Sequence, residues 1–368
     1  MKFSIDRSKL LEPLQVAASV VERKQTIPVL GNLLLLVEDG QLALTGTDQE
    51  LELTARTSEV RCEQAGQTTI PAKKLLDICR SLSEEAAVEF SLSDNHLNIA
   101  SGRFKSHLAT LPTEDFPKVQ MIEPDVTIKI AADNLHNLLH KTSFAMAQQD
   151  VRYFFNGLLV ELVDNKLTFV ATNGQRLAIS FIEDIDSGNK DRQFIIPRKG
   201  VSELLKLVPD DAGIMVELRF SNNHMQAIFD NAVLTTKLID ATYPDYGKAI
   251  PENGSKLVSG DRRELREALI RTAILSNEMY RNVRLQLESG KLEIHSNNPQ
   301  QEAAEESVIV DYSGDPLEIG FSVNYLIDAL SVIDGDRVQI IFGDAKSACL
   351  LVDPDEINSR YVVSPMIL

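Results

Sequence analysis

His136 and His140 stand four residues apart in a helix-like stretch, a spacing that puts both imidazoles on one face and could give a metal two of its ligands. No third ligand is assigned beside them, so a polar helix face is the stronger reading. Adjacent acids occur at Glu84-Glu85 and Glu305-Glu306. Neighbouring side chains point apart, which suits solvation better than acid–base catalysis. The stretch TNGQR (172–176) gathers polar groups, but Asn and Gly there are what a turn with positive φ requires. No P-loop, GxGxxG after a strand, nucleophile elbow or HExxH is present. No catalytic residue, metal or cofactor is therefore assigned.

The turn at 172–176 leads to the organisation of the chain, because it recurs. NLLLLVEDGQLALTGTD (32–48), GLLVELVDNKLTFVATN (157–173) and NVRLQLESGKLEIHSNN (282–298) align, with Leu42, Leu167 and Leu292 at a constant spacing of 125 residues. Each copy is an apolar run, a turn (Asp39-Gly40, Asp164-Asn165, Ser289-Gly290) and an alternating run, which is the pattern of a β-hairpin. A helical pattern precedes each hairpin, over 8–21, 133–147 and 261–275. Asp133 and Asp261 are placed to cap the second and third, and Leu135, Leu138, Leu139 and Thr142 fall on one face. A strand and a second short helix follow at 69–82, 195–208 and 320–333, then a closing strand pair. The fold class is α+β: three modules of two helices packed on antiparallel sheets, spanning 1–125, 126–251 and 252–368, with joins at EPDV (123–126) and IPENGSKL (250–257) where Pro, Gly and polar residues gather.

Composition bounds the function classes. The chain has 368 residues, too many for one core, 43% apolar and 25% charged residues, and a formal net charge of -17. The three cysteines, Cys62, Cys79 and Cys349, are too few and too scattered for a disulfide framework. With no run long enough to cross a bilayer and no leader pattern in MKFSIDRSKLL, the expectation is a soluble, cytoplasmic protein with no membrane partner. Charge is unevenly spread. Six helical segments with their flanks, 6–24, 71–82, 133–149, 197–208, 261–277 and 322–333, hold 15 Lys and Arg against 10 Asp and Glu, a balance of +5, which leaves -22 for the rest of the chain. Lys and Arg are good helix formers, which is one account of this bias. If the helices share a face, the other account is a basic lining inside an acidic shell, suited to sequence-independent contact with phosphates.

The threefold unit together with MKFSIDRSKLLEPL, IPVLGNLLL, LTGTD, SFAMAQQDVRYFFNG, VATNGQRLA, IPRKG, AILSNE, NNPQQEAAEE and the ending YVVSPMIL resembles the bacterial DNA polymerase III β subunits, the sliding clamps, from first residue to last. The resemblance implies a non-catalytic processivity subunit. In that picture a head-to-tail homodimer forms a ring of six modules round double-stranded DNA, with helices lining the hole. A competing reading, resting on net charge, is an acidic three-module protein-interaction scaffold that does not encircle DNA.

By resemblance, the DNA-binding positions are Lys24, Lys73, Gln149, Tyr153 and Phe154, to which charge adds Arg198 and Lys199. The dimer interface implied sets Arg103, Lys105 and Leu108 of one protomer against Ile274, Leu275, Glu302, Glu305 and Glu306 of its partner. A pocket for short partner peptides is implied at Arg152, Phe155, Thr172, Gly174, Gln175, Arg176, Leu177, Pro244, Lys248, Tyr280, Ser322, Tyr325, Val362, Val363, Ser364, Pro365, Met366 and Leu368, with Ser364 where the best-studied clamp carries Met. The partners implied there are the replicative polymerase α subunit, the clamp-loader δ subunit, translesion polymerases, mismatch-repair proteins and DNA ligase. An apolar floor with donors at its rim suits a peptide with a Leu or Phe anchor.

Overall fold

A computed structural model describes residues 1–22, 26–119, 123–186, 188, 191–251 and 254–366. Six α-helices are described: α1 (Arg7–Ala18), α2 (Ala72–Ser81), α3 (Ala132–Ser143), α4 (Arg198–Leu207), α5 (Arg262–Ala273) and α6 (Val323–Val332). All paired strands run antiparallel, and the helices and strands recur in the order that the repeat predicts. The chain divides into two compact units, Met1–Ala132 with Ser202–Leu238, and Asp133–Val201 with Ile239–Leu368.

In the first unit a five-stranded sheet runs Arg61–Gln64, Lys2–Asp6, Ala87–Ser93, His96–Ser101, Phe104–Ala109. An eight-stranded sheet runs Val126–Ala131, Met215–Phe220, His224–Ile228, Ala232–Lys237, Leu51–Thr57, Gln41–Thr47, Asn32–Glu38, Gly66–Pro71. Four of those strands come from the second repeat and four from the first. Period-2 alternation sends Leu33, Leu35, Leu42, Leu44 and Ile70 of this sheet, and Phe3, Phe90, Leu97 and Ile99 of the other, into one core with Leu10, Leu14 and Ala17 of α1 and Leu75 and Cys79 of α2. Phe3 and Phe90 stack with centroids 4.7 Å apart.

The second unit has the same plan. Its eight-stranded sheet runs Arg192–Pro197, Gly157–Val163, Lys166–Thr172, Arg176–Ile182, Ser359–Val363, Cys349–Val352, Arg337–Phe342, Lys256–Asp261; its four-stranded sheet runs Ala303–Ile309, Lys291–Asn297, Asn282–Glu288, Leu317–Ser322. α5 packs on α6 and on the four-stranded sheet. Lys141 is buried between Asp334, at 3.1 Å, and Glu356; burial opposes its charge, but the two carboxylates outweigh that and hold its pKa up.

Local signals mostly act as expected. Asp39 and Gly40 have φ 49 and 74, and Asp164 and Asn165 have φ 50 and 60, the left-handed pair of a two-residue hairpin turn. Asp261 caps α5, its Oδ1 accepting from the Glu264 amide at 2.8 Å. Asp133 does not cap: α3 begins at Ala132, and Asp133 lies in the first turn, accepting from the Asn134 amide. Leu135, Leu138, Leu139 and Thr142 are all buried, as one helix face requires.

Gly46 sits where the strand Gln41–Thr47 meets the end of α1. A Cβ there would lie 2.2 Å from the Ala17 carbonyl oxygen, a backbone atom that cannot step aside, whereas one on Gly31 meets nothing within 4 Å. Gly46→Ala is expected to cost roughly 2–3 kcal/mol and lower the denaturation midpoint, with Gly31→Ala unchanged beside it; equal melts for both would contradict this packing.

Candidate functional site

The second unit contains a ladder that joins repeats. Arg176–Ile182, the last strand of the second repeat's hairpin sheet, pairs with Ser359–Val363 from the end of the third repeat, Ala178 opposite Tyr361. Alternation along these strands puts Arg176, Ala178 and Ser180 on one face and Leu177, Ile179 and Phe181 on the other, where Val362 and Arg360 join them. On that second face Leu177, Ile179 and Val362 cluster with Phe155, Leu159, Val170, Ile195 and Tyr243, all buried. Phe155 and Tyr243 meet edge-on at 5.9 Å.

The rim of this apolar floor is the turn after Lys166–Thr172, and its hydrogen bonds explain TNGQR. Asn173 Oδ1 accepts from the amides of Gln175 and Arg176, each at 3.0 Å, and Thr172 Oγ1 accepts from the Gly174 amide at 2.9 Å. Of these residues only Gly174 takes positive φ, at 87; Asn173 serves through its side chain instead. Gly174 is also where the Arg152 guanidinium comes closest, leaving under 3 Å for a Cβ. Arg152 donates to the Asn173 carbonyl at 3.2 Å, binds Asp150 at 2.8 Å and lies 4.7 Å over the Phe155 ring. That side-chain bond from Arg152 is the main cause holding the Asp150 carboxyl down to about 2.

Arg176 is turned inward. Its guanidinium pairs with Asp328 of α6, donates to the Phe144 carbonyl at 2.5 Å and lies over the rings of Tyr325 and Phe144, at 4.7 and 5.2 Å. Tyr325 OH accepts from Asn173 Nδ2 at 3.2 Å and donates to Gln175 Oε1 at 3.3 Å. The chain end closes this side: the Ser364 amide donates to Gln175 O and the Met366 amide to Gly320 O, each at 2.8 Å. Ser364, Pro365 and Met366 are half-buried, whereas Val363 is buried on the opposite face. Pro244 and Lys248 are exposed on the segment above the floor, Lys248 paired with Asp245 at 3.3 Å. Tyr280 is exposed after α5 and Ser322 buried at the start of α6; neither has a described hydrogen bond to the turn. Leu368 lies outside the described residues.

Why the floor forms here is visible in the repeat. Leu42 faces Thr57, and Leu167 faces Ile182, so the two hairpin sheets superpose strand on strand. The ladder between Leu51–Thr57 and Ala232–Lys237 then has the register of the ladder above: Leu53 faces Leu234 as Ala178 faces Tyr361. Position for position, Val170 corresponds to Thr45, Leu177 to Glu52, Ile179 to Thr54, Val362 to Thr235 and Leu350 to Gln226. At the first junction those groups bond one another or the backbone: Thr45 to Thr54 at 2.9 Å, Gln226 to Thr235 at 3.2 Å, and Glu52 to the Val119 amide at 3.2 Å. Burial pushes the Glu52 pKa up, partly offset by that amide. The same frame thus carries one apolar and one polar junction. Val170, Ile179, Tyr243 and Leu350 are floor residues that motif matching omits and that comparing repeats by strand position would have found.

The remaining candidates lie elsewhere. Lys73 is exposed on α2; Gln149 and Tyr153 are exposed before the strand Gly157–Val163; Phe154 is half-buried edge-on to Phe155 at 4.6 Å. Arg198 donates to the carbonyls of Met146 and Ala147, at 3.0 and 3.4 Å, and Lys199 is half-buried. Lys24 is outside the described residues. Arg103 and Lys105 are exposed and Leu108 half-buried at or beside the edge strand Phe104–Ala109. Ile274 is exposed and Leu275 half-buried after α5; Glu302 and Glu305 are exposed at the edge strand Ala303–Ile309. Glu306 is held bidentately by Arg271, with bonds of 2.6 and 3.0 Å that keep its pKa low. His136 and His140 stack at 6.0 Å. Among the described residues, one trio could approach a metal, Glu293, His295 and Glu305. Glu293 approaches Nε2 at 3.6 Å and Glu305 approaches Nδ1 at 3.5 Å, and exposed acidic groups of this kind are common without an ion.

Family models of the DNA polymerase III beta subunit match nearly all of the chain in sequence: the N-terminal domain over residues 1–120, the central domain over 129–245 and the C-terminal domain over 247–367. The chain is 46% identical over 366 residues to the beta sliding clamp of Pseudomonas putida and 39% identical over 366 residues to that of Escherichia coli, each alignment covering 100% of both proteins. A crystal structure of a DNA polymerase sliding clamp from Pseudomonas aeruginosa with ligand superposes with TM-score 0.96 at 46% identity, and one of a sliding clamp from Bartonella birtlesii bound to griselimycin with 0.97 at 33%, both covering 100% of each chain.

Asn173 holds the rim through two accepted amides and one donated bond, so Asn173→Ala is expected to cost about 2 kcal/mol by thermal denaturation. Asn173→Asp keeps the acceptor and should recover most of that loss; equal melts for Ala and Asp would show that the amides do not depend on it.

Proposed function

The chain belongs to the DNA polymerase III beta subunit family, and on that premise we propose that two copies close head to tail round duplex DNA, a sliding clamp that tethers a polymerase without catalysis of its own. The observation that carries this reading is the shared register of the two ladders between repeats. The molecule keeps one half of a third ladder at each end: Phe104–Ala109 is an edge of the five-stranded sheet, and Ala303–Ile309 an edge of the four-stranded sheet. Open edges invite pairing with another chain.

The register transfers by correspondence. Ile99 faces Ser106 as Ala227 faces Leu234 and Leu351 faces Tyr361; Leu292 faces Val308 as Leu42 faces Thr57. Ser106 of one protomer therefore lies opposite Ala304 of its partner, Lys105 opposite Glu305 and Leu108 opposite Glu302. Lys105 and Glu305 form a cross-strand pair of opposite charge. Glu306, bound by Arg271 of its own protomer, supports its edge instead. The contact is heterologous and closes after two copies.

A closed ring stays on DNA by topology, so its contacts with phosphate can be few and weak, and an acidic exterior is no obstacle to them. Lys24, Lys73, Gln149, Tyr153, Phe154, Arg198 and Lys199 are the proposed contacts, sequence-independent and, for the charged ones, salt-sensitive. The apolar floor between Leu177, Val362, Phe155 and Tyr243 receives the Leu or Phe anchor of a partner peptide, with Gln175 and the Gly174 turn at its rim. One pocket per protomer means that polymerase, clamp loader and repair proteins compete for it. The reading as a scaffold off DNA has no observation in its favour beyond net charge.

Two experiments test this. The protein loaded on nicked circular DNA should stay bound through gel filtration and be lost when the circle is linearised; equal retention on both would leave direct binding, not encirclement. Lys105→Glu should raise the dimer dissociation constant about tenfold by sedimentation, and Glu305→Lys in the same chain should restore it. No restoration in the double variant would refute this register.

A further inference from the structure

Beyond the apolar floor, the same sheet face opens into a second hollow of about 770 Å³ that the peptide pocket does not use. It lies further along the same strands: Phe181 follows Leu177 and Ile179, and Arg360 precedes Val362. Four residues of strand separate Leu177 from Phe181, about 13 Å. Ile179 belongs to both floors, and Tyr246 and Ile250, which pack against the apolar cluster, also line the hollow.

Its chemistry is different from that of the first pocket. The floor is apolar and aromatic, from Ile179, Phe181 and Tyr246, but the rim is acidic, with Asp164, Glu183 and Asp184 exposed round the opening. Glu161 at the base is fixed by bonds from Gln193 Nε2 at 2.6 Å and Tyr246 OH at 2.5 Å. Four carboxylates thus outweigh the two cations of the lining, Lys166 and Arg360. Lys166 Nζ lies 3.3 Å from the centroid of the Phe181 ring, so one face of that ring is held by a cation of the chain itself and the carboxylates are left to a second one. A hollow with this excess of carboxylates attracts an ammonium or guanidinium and repels phosphate.

We infer that this hollow takes a Lys- or Arg-bearing flank of a partner peptide whose anchor occupies the apolar floor, an inference that rests on the pocket reading above. An extended flank of about four residues spans the distance. Continuity with the floor supplies the route, and the excess of carboxylates selects the charge. The hollow therefore sorts partners that share one anchor by the basic residues beside it. This is specificity by rim electrostatics, with little added apolar contact.

Fluorescence anisotropy with the full chain tests it. The probes are a labelled Gln-Leu-x-Leu-Phe peptide and versions extended by five residues at either end, bearing two Lys or two Gln in the distal positions. One Lys-extended peptide is expected to bind about fivefold tighter than its Gln twin at low salt, an advantage that shrinks as salt rises. Glu183→Lys with Asp184→Lys should abolish the advantage, both positions being exposed so that the fold is retained, as circular dichroism checks. If the short peptide binds and neither Lys extension surpasses its Gln twin, or the advantage survives charge reversal, the inference fails while the pocket stands. If the short peptide itself does not bind, the pocket reading fails and this inference with it.

Discussion

Everything functional in this protein depends on one main-chain ladder, repeated. The last strand of a repeat's hairpin sheet accepts as its neighbour the closing strand of another repeat, in one register: Leu53 against Leu234, Ala178 against Tyr361. Backbone hydrogen bonds are indifferent to side chains, so the same joint serves wherever two repeats meet. A sheet register is set to the residue, because a slip of one turns every side chain to the other face. Edges left over at Phe104–Ala109 and Ala303–Ile309 are then neither defects nor frayed ends. On the proposed reading they are the two halves of a joint made between two copies of the chain.

With the frame held constant, side chains decide what each junction does. Thr45, Glu52, Thr54, Gln226 and Thr235 satisfy one another or the backbone at the first junction and leave nothing for a ligand to bury. At the second, Val170, Leu177, Ile179 and Val362 are apolar and buried and Leu350 half-buried, so a ligand meets a floor with no polar group to satisfy, and whatever exposed apolar area it covers gains roughly 25 cal/mol for each Å². The polar groups round it are mostly committed: Asn173 to two amides, Arg176 to Asp328, Arg152 to Asp150. A rim so fixed is pre-organised, which reduces the entropy lost on binding.

Much of this was legible in the sequence, and for physical reasons. Hairpins announce themselves through turn chemistry and alternation, and α3 through the spacing of Leu135, Leu138, Leu139 and Thr142, since these are local consequences of backbone geometry. Asp133 shows the limit: one residue of offset moved it from cap to first turn, and nothing nearby in the sequence marks that difference. Glu305 and Glu306 looked equivalent as neighbours, yet only Glu306 meets Arg271, because adjacent strand residues face opposite ways and α5 lies on one side alone.

The residues by themselves determined the threefold unit, its hairpins and helices, the bias of positive charge to helices and the family. All of these are properties of short stretches or of sums over them. Resemblance put Leu177 and Val362, 185 positions apart, in one pocket, but only the tertiary structure gave the strand pairing that joins them, decided that Arg176 turns inward to α6, and showed that a second, acid-rimmed hollow continues the first. Those facts depend on which strand lies beside which, a pairing made through backbone groups that every residue carries alike, and so one that no side-chain pattern spells out.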